Sequence, residues 1–184
     1  MTEPSLPEKI VAIHERLRAA RIRHAFGGAL ALAYYAEPRA TIDIDLNVFL
    51  PPADHARVGD ELAALGIGDL LDVDALEWDG QCRVWWGRTP LDLFFASEPI
   101  HDAMRHDIRT VPFGDQTIPV LAPEHLAVCK VVFDRPKDWL DIEQMLISVE
   151  QIDVEEIDNW LAQTLGDDPR KQRFDQLAQR LLDR

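Results

Sequence analysis

Two aspartates one residue apart, Asp43 and Asp45, lie in the alternating segment Ile42-Asp43-Ile44-Asp45-Leu46. In a strand, side chains at i and i+2 share a face. The two carboxylates then project together, while Ile42, Ile44 and Leu46 project into a core. Like charges side by side repel and call for a compensating cation, and hard oxygen ligands suit a divalent metal, Mg²⁺ or Mn²⁺. Just upstream, Gly27-Gly28 runs into the apolar stretch Ala29 to Ala36. A Gly-rich turn entering a helix presents unpaired backbone N–H groups, which form an anion seat. A side chain at either glycine would block the close approach of a phosphate. The stretch from His24 to Leu50 thus offers a phosphate seat beside a metal seat.

Further charged residues sit where burial makes them informative. Asp92 lies in Leu91-Asp92-Leu93-Phe94-Phe95, and an acid in such a strand is costly to bury without a partner. It reads either as an edge-strand acid facing water or an arginine, or as a third carboxylate of the Asp43/Asp45 site; three carboxylates suit two ions clamping a phosphoryl transfer. Lys130 stands among Val128, Val131 and Val132. It is either a snorkelling surface lysine or a cation aimed at the phosphates of a nucleotide. Asp138 and Asp141 share a helix face, and a helix cap and dipole account for them equally well. Arg39 either pairs with Glu37 or approaches the nucleotide.

The order G-G, then R-x-T-x-D-x-D from Arg39 to Asp45, then K-x-x-x-x-R-x-K-D-x-x-D from Lys130 to Asp141 resembles the signature of the nucleotidyltransferase (DNA polymerase β-like) superfamily. More narrowly, it resembles the AbiEii/AbiGii toxin family. The resemblance covers roughly residues 20–148. It implies Asp43, Asp45 and Asp92 as metal-binding catalytic carboxylates, with Lys130 and Asp138 as catalytic residues. It further implies Gly27, Gly28, Arg39, Thr41, Lys130 and Asp141 on the nucleotide, with Arg135 and Lys137 nearby. One departure is visible: Thr89-Pro90 precede Asp92 where relatives often carry charged residues. The implied reaction moves an NMP from an NTP to an acceptor hydroxyl, on a tRNA 3′ end, a protein or a small molecule. The implied setting is a toxin with a cognate antitoxin. The alternatives are a catalytically inactive nucleotide-binding or protein-interaction module of the same fold, or a purely structural acidic domain.

Periodicity supplies the elements that must position these residues. The spacing of Ile10, Ile13 and Leu17 predicts a helix from Pro7 to about Arg21. A short strand at 24–27, a helix at 29–36 ended by Pro38, and the aspartate-bearing strand at 42–49 follow. A helix spans 53–65, residues 69–80 read as a loop or edge strand, and strands fall at 81–87 and 90–96. A helix at 99–106 precedes a hairpin of 108–113 and 116–121 across Gly114-Asp115. Helical periodicity then fills 123–133, 137–148, 153–165 and 169–182. The expected fold class is α/β (α+β), a nucleotidyltransferase-like mixed sheet flanked by helices. The expected division is an α/β core at 1–121 and a C-terminal helical portion at 122–184 packed on it.

Composition limits the alternatives. Hydrophobic residues form 47% of the chain, enough to build a core. No apolar run is long enough to span a membrane, and the N-terminal MTEPSLPEKI lacks a signal-peptide pattern, so the expected location is cytoplasmic. Cys82 and Cys129 read as reduced buried thiols. The net charge of −14 argues against broad nucleic-acid binding, which depends on neutralising phosphates. Local clusters at Arg16, Arg18, Arg21 and Arg23, and at Arg170, Lys171 and Arg173, read either as cations near a helix C-terminus and a solvated helix face or as an RNA-binding patch. The six histidines form no pair at metal-ligand spacing, and His101 and His106 read as surface residues.

Overall fold

In the computed structural model of the chain, the structure describes residues 3–68 and 71–182. Helix α1 (Leu6–Ala19) starts at a capping box. The Ser5 N–H and hydroxyl both donate to Glu8 Oε2, at 2.7 and 2.6 Å, satisfying a donor the helix leaves unpaired. Its buried stripe is Ile10, Ile13 and Leu17, and the left-handed Arg21 (φ 56°) turns the chain out of it. Strand β1 (His24–Phe26) leads into the short helix α2 (Gly28–Leu32), which ends well before the expected Ala36. Strand β2 (Ile44–Val48), helix α3 (His55–Ala63), helix α4 (Val73–Asp79), and strands β3 (Gln81–Trp86) and β4 (Thr89–Phe95) follow. Helix α5 (Ile100–His106), the hairpin β5 (Arg109–Phe113) and β6 (Gln116–Val120), and helices α6 (Pro123–Phe133), α7 (Pro136–Ser148), α8 (Val154–Leu165) and α9 (Pro169–Leu182) complete the described chain.

The strands form a six-stranded mixed sheet in the order β3-β4-β2-β1-β6-β5. β2 pairs in parallel with β4, and β1 in parallel with β6, while the other neighbours are antiparallel. The alternation on β2 sends Ile44, Leu46 and Val48 into the core. β4 does the same with Leu91, Leu93 and Phe95, each at most 1% exposed. The expected mixed sheet flanked by helices is therefore what the chain forms.

Two further local expectations fail for physical reasons. Ile42 is exposed at 68% rather than in the core, because regular pairing begins only at Ile44. The stretch expected as loop or edge strand contains α4. Asp72 caps it by accepting the Ala75 N–H at 3.0 Å, the left-handed Gly80 ends it, and Leu76 anchors it in the core. Residues 69–70 of that stretch lie outside the described residues.

Candidate active site

The parallel pairing of β2 with β4 sets Asp45 directly opposite Asp92. Period-2 alternation places both on the sheet face opposite the core residues Ile44 and Leu91. Asp43 stands just before β2, where its N–H donates to Thr41 Oγ1 at 3.1 Å. The Asp45 carboxyl is raised above its usual range, chiefly by burial, then by the charge of Asp92, with Asp43 adding to the same effect and Arg135 and Lys130 opposing it. Gly28 adopts φ +53° beside it, and a Cβ there would run into the Asp45 carboxylate. The glycine is thus required both by its left-handed backbone and by this close approach. A Cβ at Gly27 would lie 2.9 Å from Asn47 Nδ2, and the Gly27 N–H donates to the Asp45 carbonyl at 2.9 Å.

Asp92 has a partner that sequence reasoning missed. Arg83 faces it across the antiparallel β3–β4 pair. The guanidinium grips the carboxylate in a fork, Nε to Oδ1 at 2.6 Å and Nη2 to Oδ2 at 2.7 Å. Arg83 sits at an alternate position of QCRVWW, nine residues before Asp92; a hairpin register would have predicted the pair. Asp43, Asp45 and Asp92 do not converge into a tight cluster. Among the described residues, the three candidate ligands whose atoms all lie within 4.8 Å of one another are Asp107, His125 and Glu156, elsewhere in the fold.

The helices supply a second charged group. Lys130 is 3% exposed and buries its ammonium against Asp141 at 2.6 Å, with Asp138 at 3.7 Å, so it does not snorkel. Asp138, fully buried, accepts the Arg135 backbone N–H at 3.2 Å and side-chain Nε and Nη2 at 2.6 and 3.1 Å. It therefore does cap α7, as the capping reading expects, while standing beside Lys130. Arg39 reaches Asp141 Oδ2 at 3.3 Å rather than Glu37, and its Nε has no hydrogen-bond partner among the described residues.

The two groups meet at a cavity of about 240 Å³. Gly27, Gly28, Asp45 and Asn47 line its sheet side, and Lys130 and Arg135 its helical side. Phe94, Met104, Leu126 and Phe133 make much of the wall apolar. His101, expected at the surface, is half-buried in this wall, because α5 packs over the cavity. Cys129 also lines it and is only partly buried, while Cys82 is buried, and both are free. Desolvation pushes these thiols up, to about 12 and about 11 respectively, so neither is a poised nucleophile.

Several residues of the surface clusters are held in ion pairs. Arg16 pairs with Glu61, Arg170 with Asp168, Lys171 with Asp158 and Asp175, and Arg173 with Asp134. His14 and His24, far apart in sequence, place Nδ1 and Nε2 3.0 Å from each other.

The chain matches, over residues 17–184, the family profile described as nucleotidyl transferase AbiEii toxin, type IV TA system. No curated protein matches it in sequence. Among solved structures it is similar to the antibiotic-resistance factor ANT(2'')-Ia, with TM-score 0.62, 14% identity and full coverage of both chains (100% and 100%). It is also similar to an antigenic nucleotidyltransferase-like protein from Paracoccidioides brasiliensis, with TM-score 0.56, 16% identity, and coverage of 97% of this chain and 89% of that one. A third is the lincosamide antibiotic adenylyltransferase LnuA with lincomycin bound, with TM-score 0.55, 12% identity, and coverage of 78% and 98%. At such identities the likeness shows a shared fold.

Proposed function

The chain belongs to the AbiEii nucleotidyl transferase toxin family of type IV toxin–antitoxin systems, and from that premise we propose that it transfers an NMP from an NTP to an acceptor hydroxyl at the cavity between Asp45 and Lys130. The observation that carries this reading is the register pairing of Asp45 with Asp92 on one sheet face, with the raised Asp45 carboxyl beside Gly28. An acid held against a like charge is stabilised when a cation joins it. The donor set, all carboxylate oxygen, fits a hard divalent ion, Mg²⁺ or Mn²⁺; Asp45 and Asp92 would hold it, with Asp43 at the strand entrance. Such an ion, when bound, neutralises phosphate charge and favours attack by an acceptor hydroxyl.

The chain's own residues divide the remaining work. Lys130 and Arg135 set positive charge on the cavity wall opposite the carboxylates, where it offsets charge developing on departing pyrophosphate. Arg39 supports Asp141, and through it Lys130, from behind the cavity lining. Helix α2 spans only Gly28–Leu32, so its dipole is small, and phosphate binding rests more on these cations than on the helix end. Asp138 positions Arg135. Phe94 and Phe133 offer apolar surface for a base or an acceptor. The acceptor is a tRNA 3′ end, a protein hydroxyl or a small molecule, and a cognate antitoxin is the expected partner.

The test is thermal unfolding with each NTP, with and without Mg²⁺, on wild type and Asp43→Asn, alongside release of labelled pyrophosphate. A ligand at 100 times its Kd adds roughly 2.7 kcal/mol to the native state. A Mg²⁺-dependent shift lost in the variant supports the reading; no shift with any nucleotide overturns it. One observation favours a module that binds without turnover: the Arg83 fork already holds Asp92. Metal-dependent NTP stabilisation without pyrophosphate release would select that second reading.

A further inference from the structure

On the far side of α6 from the α6–α7 ion pairs, three helix ends meet. Asp107 caps the C-terminus of α5, His125 lies in the first turn of α6, and Glu156 lies in the first turn of α8. One ligand atom from each lies within 4.8 Å of the other two. His125 is completely buried, and neither ring nitrogen has a hydrogen-bond partner among the described residues. Native interiors rarely leave such groups unmatched. Its Nε2 stands 3.3 Å from Glu156 Oε1. Zinc bonds near 2.0–2.2 Å at tetrahedral angles set neighbouring ligands roughly 3.4 Å apart, so this spacing suits two ligands of one zinc ion.

We propose that Asp107, His125 and Glu156 form a second cation site, separate from the strand carboxylates, that takes a first-row divalent ion with affinity for imidazole, Zn²⁺ foremost. An imidazole with two carboxylates suits Zn²⁺ better than Mg²⁺, which demands an all-oxygen octahedron. The surrounding charge is mostly negative: Glu124 and Asp153 act on Glu156, and Arg109 is the cation that acts on His125. Asp107 is exposed and leaves the fourth position open to water. A bound ion would tie the end of α5 to the starts of α6 and α8. It would thereby fix the register of α6, which carries Lys130 to the cavity.

The experiment titrates chelator-stripped full-length protein with ZnCl₂ by calorimetry in excess Mg²⁺, and then with CoCl₂ by visible absorption. The expected result is one equivalent of Zn²⁺ bound by wild type and equally by Asp43→Asn. Affinity should fall at least roughly tenfold in Asp107→Asn and in His125→Gln, the scale of losing a partner at a metal centre. The visible bands of bound Co²⁺ should disappear with His125→Gln. Asp107→Asn, at an exposed position, keeps the test valid if the His125 variant does not fold. No Zn²⁺ binding by wild type, or binding that survives both substitutions, overturns the site. Binding lost in Asp43→Asn alone also overturns it and assigns the ion to the strand carboxylates. Nucleotide-dependent unfolding is read separately, so this proposal and the transferase reading fail independently.

Discussion

On the strands, Asp92 is gripped by the Arg83 guanidinium while Asp43 and Asp45 stand near it; on the helices, Asp138 and Asp141 are enclosed by Lys130, Arg135 and Arg39. The first region has excess negative charge and the second excess positive charge, and one cavity separates them. The strand group is electrostatically unfinished without a cation, whereas each carboxylate of the helical group is matched by cations. The comparison teaches that burial alone does not mark a working residue: Asp138 is more buried than Asp45, yet its hydrogen bonds are complete.

Asp45→Asn should break the comparison most visibly. Transfer should fall by roughly three orders of magnitude, the scale of losing a preorganised electrostatic group, measured as labelled NMP incorporation. The ligand-free variant should nonetheless unfold no earlier than wild type. Because the folded Asp45 carboxyl is raised, the native state binds the proton more readily than the unfolded state. Its charge therefore costs stability at pH above the folded pKa, and acidification through the window from there down to the usual 3.8 removes that cost. The wild-type-minus-variant stability difference should close over that acid window, and Mg²⁺ should close it at neutral pH. A variant that is less stable than wild type at pH 7 would sink the account.

The helical group should answer in the opposite sense. Lys130→Met leaves the buried Asp141 carboxylate with only its longer contact to Arg39, a loss of up to about 3–5 kcal/mol, read by denaturant unfolding. A cost near zero would show that the network is not tightly held. Gly28→Ala tests how the two regions are kept apart. A Cβ would meet the Asp45 carboxylate at a left-handed φ, so stability should drop by more than about 1 kcal/mol. Asp45→Asn should fail to rescue the part due to the backbone.

The smallest effect is expected at Arg83→Gln. The pair is half exposed on the arginine side, and such ion pairs contribute about 0–1 kcal/mol. Unfolding should hardly change, but Asp92 would be released, and Mg²⁺ binding should tighten severalfold by calorimetry. Weaker binding instead would make Arg83 the residue that orients Asp92 for the metal.

Much of the fold was legible because its signals are local. The i, i+2 alternation of β2 and β4 marks their core faces, the Gly114-Asp115 turn joins the β5–β6 hairpin, and the α1 stripe repeats at helical spacing. Where reading failed, competing terms were close: α4 is a short acidic helix decided by Asp72, Gly80 and the burial of Leu76, and α2 stopped early although its apolar run continued. The salt bridge from Lys130 on α6 to Asp141 on α7 was not legible, because the sequence reading aimed both residues at a nucleotide and the pair depends on how the two helices pack. The Arg83–Asp92 pair needed a hairpin register to be worked out, whereas the grouping of Asp107, His125 and Glu156 was illegible, because it depends on which helix packs beside which.

The sequence alone determined the chemistry available: carboxylates at strand spacing, a glycine pair before them, and a lysine with two aspartates on adjoining helices. Side-chain period and backbone preference are properties of consecutive residues. Only the tertiary structure decided the company those groups keep. The β2–β4 register set Asp45 against Asp92, the β3–β4 register gave Asp92 to Arg83, and helix packing put Arg39 on Asp141. Electrostatic energies depend on distance and solvent exposure, and both are set by packing between elements remote in the chain.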